Sequence, residues 1–230
     1  MTICIIPARA NSKRIKNKNI LNFYGKPLIS YAIDIAKKSK LFSRIVVSTD
    51  STKIAKIAEK YGAEVPFLRS KKLSNDYSTS TEAVIDCIKK ISTVNEKYHW
   101  CIYPTTLFVT KNDLRSAFQK MKKTNSDFLI STTDFASSPH RALKIIKKNR
   151  IDFNSYQYAY SRSQDLPKLL QDCGLFYIYK TSSLLKKRKK LPKKTTFFYI
   201  DRLRSLDIND PVDIDLAKIQ FKYLRKLKNE

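Results

Sequence analysis

The chain has 230 residues, 42% of them hydrophobic, with 46 Lys and Arg against 20 Asp and Glu, a formal net charge of +26. That length holds one domain, or one domain with a sizeable insertion, and the apolar content is too high for a disordered chain. With only Gly25, Gly62 and Gly174 as glycines, Gly-rich linkers are excluded, as are the phosphate motifs G-x-G-x-x-G and G-x-x-x-x-G-K-[ST].

"TICIIPA" at 2–8 is a continuous apolar run that predicts a strand buried on both faces. It leads directly into "PARANSKRIKNKN" at 7–19, which carries five cationic side chains: Arg9, Lys13, Arg14, Lys16 and Lys18. Beyond Pro27, which suits a first helical turn, Leu28, Ile29, Ala32, Ile33 and Ala36 fall at helical spacing. "RIVVST" at 44–49 reads as a second buried strand, and "STKIAKIAEKYGA" as a helix stopped by Gly62. "EVPFL" at 64–68 is expected to form a short strand, weakened by Pro66.

Thr79 and Glu82 have capping-box spacing and open a helix with Ala83, Cys87 and Ile91 on one face. "HWCIYPTT" predicts a strand ending in a polar turn, "KNDLRSAFQKM" a helix and "DFLISTTDF" a strand. The alternation breaks from 136 to 174, a stretch rich in Ser, Tyr and basic residues that is expected to form an inserted lobe of extended strands and loops. "GLFYIY" and "TTFFYI" return to strands, and Asp210 and Pro211 start a last helix with Val212, Leu216, Ile219 and Tyr223 in one stripe. The fold class expected is α/β, a mainly parallel sheet covered by helices on both faces.

The lysines are spread over the whole chain, which favours solvated faces over a polyanion-binding patch. The densest run, "KKRKKLPKK" at 186–194, is expected to be a solvated connection. Cys4, Cys87, Cys101 and Cys173 are far apart without a C-x-x-C pair, so reduced thiols in a cytoplasmic protein are expected, with neither disulfides nor a zinc site. The apolar stretch before Arg9 is too short for a signal peptide, and no segment approaches a membrane span.

In an open parallel sheet, ligands bind beyond the carboxyl ends of the strands, where the loop 8–19 would lie. Backbone N–H groups there, with Arg9, Ser12, Lys13 and Lys18, suit an anion with several phosphate oxygens. The spacing of "PARANSKRIKNKN" and "GKPLI" resembles the cytidylyltransferases that activate nonulosonic acids. Further blocks of that resemblance follow in order: "VVSTD" (46–50), "LRSKKLSNDYSTST" (68–81), "YPTTLF" (103–108), "SRSQDL" (161–166) and "LDINDPVDIDL" (206–216). "VPFLRSKKLSNDY", "PHRAL" and "DCGLFYIY" look most like the pseudaminic acid branch. Four positions depart from the common pattern. Ala10 and Asn11 stand where most members have Gly-Gly or a similar small pair, Tyr103 stands where sialic-acid enzymes usually carry Gln, and Asn209 replaces the second carboxylate of an Asp-x-Asp pair.

The resemblance implies a nucleotide-diphospho-sugar transferase-like fold with an inserted dimerisation lobe. It implies a reaction of CTP with a nine-carbon sugar acid, giving the CMP-sugar and diphosphate for surface glycan or flagellin glycosylation. Pseudaminic acid is the first expectation, with N-acetylneuraminic and legionaminic acids as alternatives. Arg9, Lys18 and Asp207 would carry the chemistry. Ala8, Asn11, Ser12, Lys13 and Asn19 of the loop, with Arg69, Ser78 and Thr79, would bind nucleotide. Tyr103, Thr105 and Thr106 would approach the sugar acid from the strand end. His140 and Arg141 would join them from the lobe, with Arg162 taking the carboxylate and Gln164 and Asp165 the hydroxyl or acetamido groups. Asp207 and Asn209 would hold Mg²⁺. A homodimer with lobe residues acting partly across its interface is expected, with no membrane partner and no specific nucleic acid. A basic nucleic-acid-binding protein is the reading of another class. It lacks aromatic stacking residues interleaved with the basic runs.

Overall fold

The computed structural model describes residues 2–91, 93–186 and 190–229. The first strand, β1 (Thr2–Pro7), alternates its side chains between two apolar layers. Cys4 and Ile6 pack in one with Ile33, Trp100 and Leu114, while Ile3 and Ile5 pack in the other with Val84, Ile88 and Cys101. Burial on both faces is why the run reads as continuously apolar. Two two-residue strands, β2 (Asn22–Phe23) and β3 (Lys26–Pro27), then form a small hairpin before helix α1 (Leu28–Ser39). Tyr24 and Gly25 turn it with φ of 47° and 81°, a conformation glycine adopts freely.

Strand β4 (Phe42–Ser48), helix α2 (Thr52–Lys60), helix α3 (Ser80–Lys90) and strand β5 (Tyr98–Ile102) follow. Next come helix α4 (Lys111–Lys123) and strand β6 (Phe128–Asp134). Strands β7 (Leu143–Lys147) and β8 (Arg150–Phe153) make a separate antiparallel hairpin. The chain closes with strand β9 (Leu170–Lys180), the short helix α5 (Thr181–Leu184), strand β10 (Thr195–Tyr199) and helix α6 (Pro211–Asn229).

Six strands form one sheet in the order β10-β6-β9-β5-β1-β4. The pairs β1–β4, β1–β5 and β6–β10 are parallel, and β9 runs antiparallel to both its neighbours. The parallel set brings Pro7, Ser48 and Ile102 to one edge, and the loops leaving them build the site. The capping box at Thr79 and Glu82 is present, and α4 has a second one at Thr110 and Asp113 that the sequence reading passed over.

Three expectations are corrected. "EVPFL" forms isolated bridges at Glu64 and Leu68 alongside Val46 and Thr49 but no strand, since Pro66 between them has no N–H to give. The stretch 136–174 does contain the β7–β8 hairpin, but its last five residues are the start of β9. In α6 the stripe Val212, Leu216, Ile219 and Tyr223 faces solvent. Ala217 is buried instead, and Ile214, Phe221 and Leu224 pack with Phe23 and Leu28. The solvated connection expected at 186–194 falls partly on residues 187–189, which lie outside the described residues.

Candidate active site

A cavity of about 530 Å³ opens at the carboxyl edge of the parallel strands. The loop after β1 forms one wall, contributing Arg9, Ser12, Lys13 and Lys18. Its path is set by contacts remote in sequence. Ala8 is fully buried and donates its N–H to Ser48 O at 2.9 Å. Ala10 N–H donates to Asp50 Oδ1 at 2.7 Å. Buried Asn19 donates from Nδ2 to Arg9 O at 2.8 Å, closing the loop on itself. Ile15 and Ile208 are buried in a third apolar cluster, which ties the loop to the segment carrying Asp207.

Ala8 therefore shapes the loop without lining the cavity, because its N–H is spent on β4. Asn11 is exposed and does not line it either. On the opposite wall stand Arg69, Ser78 and Thr79. Arg69 is buried, donates from Nε to Ser74 Oγ at 3.1 Å, and has its pKa lowered by that burial while Asp50 partly offsets the effect. Tyr103 and Thr105 complete the floor. The Tyr103 hydroxyl lies 2.5 Å from Ser80 Oγ, and burial pushes its pKa up to about 12, so it remains a neutral hydrogen-bonding group. Thr106 is buried and donates to Leu175 O at 2.8 Å; it braces the turn and does not face the cavity.

Two acidic residues missed by the sequence reading matter here. Asp50 holds the loop backbone, as above. Asp76 accepts from Arg9 Nη1 at 2.9 Å and pairs with Lys13 Nζ at 2.6 Å, which pulls its pKa below the usual carboxylate range. Neither contact was legible, because the partners are 40 and 67 residues apart in sequence.

Asp207 lies beyond β10 and a 3₁₀ turn at 202–204, facing Lys18. Burial raises the Asp207 pKa, with Asn209 and Lys18 acting against the rise. Burial also lowers that of Lys18, with Asp207 opposing. Lys18 Nζ is held by Ile208 O at 2.9 Å. Asn209 donates from Nδ2 to Asp207 Oδ2 at 2.8 Å, while its Oδ1 accepts from Arg14 Nη2 at 2.6 Å. Asp207 thus offers one hard oxygen ligand, but the Asn209 oxygen is turned to Arg14. Among the described residues no group of three or more His, Cys, Asp or Glu side chains is arranged to hold a metal ion. A cation at Asp207 would need its remaining oxygen ligands from water or a bound ligand.

A second cavity of about 300 Å³ adjoins the first, and Asp207 and Asn209 line both. His140, Arg141, Arg162, Gln164 and Asp165 line neither. Arg162 is exposed and paired with Asp165 at 2.6 Å, and His140 stacks edge-on with Tyr158 and lies 3.2 Å from Pro167 O. All four cysteines are buried and unpaired, and none lines the first cavity. No helix among the described residues is long and apolar enough to cross a membrane.

Solved structures share this architecture. A CMP:2-keto-3-deoxy-manno-octonic acid synthetase complexed with CTP superposes with a TM-score of 0.71 at 15% identity, covering 98% of this chain and 99% of the other. A putative glucose-1-phosphate thymidylyltransferase from Bacillus anthracis does so at 0.65 and 15%, covering 95% and 94%. The fold is that of the nucleotide-diphospho-sugar transferases. In sequence the chain is 39% and 38% identical to pseudaminic acid cytidylyltransferases of two Campylobacter jejuni strains, over 96% of each chain. It is 30% identical to a C. jejuni CMP-N,N'-diacetyllegionaminic acid synthase, over 99% of this chain and 96% of that one. The profile of the family described as Cytidylyltransferase matches residues 3–229. The chain belongs to the cytidylyltransferase family and is a nucleotidyltransferase.

Proposed function

We propose that the protein activates pseudaminic acid with CTP, releasing diphosphate and giving CMP-pseudaminic acid. The observation that carries this is the identity of 38–39% to pseudaminic acid cytidylyltransferases along essentially the whole chain, combined with a cationic cavity at the strand edge. Arg9, Lys13 and Lys18 would meet the triphosphate, with Arg69, Ser78 and Thr79 across the cleft toward the nucleoside. The sugar's anomeric hydroxyl attacks the α-phosphorus in line and the diphosphate leaves. The protein's contribution is to hold the two reactants in line and to neutralise charge on the transferring group with fixed cations.

Asp207 fits as one ligand of Mg²⁺, which when bound would neutralise phosphate charge. Asn209 positions Asp207 in this reading, because its own oxygen is held by Arg14. Asp76 occupies Arg9 and Lys13 as a carboxylate in the place of a phosphate, so nucleotide entry is expected to exchange one anion for another. The lobe residues His140, Arg141, Arg162, Gln164 and Asp165 would act from a second copy across a homodimer interface.

The test is diphosphate release from CTP and Mg²⁺ with pseudaminic, legionaminic and N-acetylneuraminic acids. Turnover with pseudaminic acid at the highest kcat/KM is expected. Preference for either of the others would reassign the substrate, and a folded enzyme inert to all three would overturn the reaction.

A further inference from the structure

The second cavity holds an arginine that the sequence reading did not single out. Arg202 is exposed and is the one cation among the described residues lining it. Two residues on, Arg204 is fully committed to Asp113 at 2.7 Å and Asp201 at 2.6 Å. Among the described residues Arg202 has neither a side-chain hydrogen bond nor an ion pair. Asp134, which lines the same cavity, is taken by the Tyr199 hydroxyl at 2.5 Å and by Lys168 at 3.4 Å.

The rest of the lining suits a polyhydroxylated ligand. Thr133 is 5% exposed, and its Oγ1 has no hydrogen-bond partner. Gln220 reaches the cavity from α6 with an equally unpartnered Oε1. Buried polar atoms left unpaired in the free protein are groups that a ligand can satisfy. Asp172 accepts from Gly174 N and from the Tyr177 hydroxyl, which leaves it as an acceptor for hydroxyl groups.

We propose that this cavity receives the sugar acid and that Arg202 binds its carboxylate. The assignment rests on the cytidylyltransferase reading above. It places on Arg202, within one chain, the carboxylate contact that Arg162, outside both cavities of its own chain, would make only from a second copy. Asp134, Asp172 and Asp207 repel a carboxylate everywhere else in the cavity. The substrate therefore enters one way, with its carboxylate on Arg202 and its reacting hydroxyl toward Asp207 and the nucleotide.

The test uses the full chain and two substrates, pseudaminic acid and its C1 carboxamide. Arg202→Ala is expected to raise KM for the acid roughly 10- to 100-fold, the loss of one charge-assisted pair. The KM for CTP and the Tm should stay unchanged, and the wild-type preference for acid over carboxamide should disappear. Arg202→Lys should restore part of that preference. If R202A keeps both the KM and the preference while Arg162→Ala abolishes them, the proposal is wrong. If the wild-type protein turns over CTP with no sugar acid at all, the underlying reaction fails, and this assignment with it.

Discussion

Asp207 and Lys18 both line the cavity and influence each other, and burial works on the two in opposite directions. The Asp207 carboxylate gains its proton at a higher pH than an ordinary Asp, and Lys18 loses its proton at a lower pH than an ordinary Lys. If both must be charged, kcat/KM for CTP follows a bell, with its acid limb above the usual carboxylate range and its alkaline limb below the usual lysine range. Asp207→Asn should erase the acid limb and lower kcat by at least about 100-fold, the scale of losing one transition-state contact. The same change removes a buried charge, so the Tm should hold or rise. A fall in Tm would mean that Asp207 serves the fold more than the chemistry.

At the scale of elements, β9 carries a local device at Gly174. Its φ of +60° is left-handed, and a Cβ there would lie 3.5 Å from Asp207 Oδ2. Gly174→Ala is expected to cost about 1 kcal/mol in backbone strain, and relief of that strain would shift the segment that lies in van der Waals contact with the Asp207 carboxylate. Steady-state assays should show a lower kcat with little change in the KM for CTP.

His99 at the start of β5 is fully buried between Thr181 Oγ1 at 2.8 Å and Thr93 Oγ1 at 3.1 Å, and burial lowers its pKa to about 4. The unfolded value is about 6.5. The stabilisation of the neutral ring is therefore complete above that value and is lost as pH falls through the interval toward 4, up to about 3 kcal/mol. Urea midpoints measured from pH 7 to 4 should fall in wild type and fall less in His99→Gln.

Much of this level was legible in the sequence. β1, α1 and β4 announced themselves because burial on both faces, or on one stripe, imposes a readable pattern. Helix α6 did not, because it carries two apolar stripes. Periodicity cannot choose between them, whereas the aromatic group of Phe23, Tyr24 and Tyr31 selects Phe221. The site followed the same division. Charge and spacing pointed to Arg9, Lys13 and Lys18. Asp50 and Asp76 enter through folding contacts between distant segments and leave no local trace.

For the molecule as a whole, apolar surface and net charge pull against each other. The β7–β8 hairpin leaves Ile145 82% and Ile151 63% exposed, with Leu143 and Ile146 beside them. Such a surface supports the reading of the lobe as a pairing face. The formal charge of +26 makes two copies repel. Light scattering should find a dimer that tightens as salt is raised from 50 to 500 mM, as screening predicts. Ile145→Asp with Ile151→Asp should give a monomer with an intact fold and reduced turnover. A monomer of full activity would remove the lobe from the site.

The central claim is that the loop leaving β1 grips the triphosphate of CTP, and titration calorimetry with CTP and Mg²⁺ tests it most directly. The wild-type protein should bind one CTP per chain, and Arg9→Ala should weaken that binding at least about 10-fold, the loss of one charge-assisted contact. No heat from the folded wild-type protein, or equal affinity in the variant, would contradict the account.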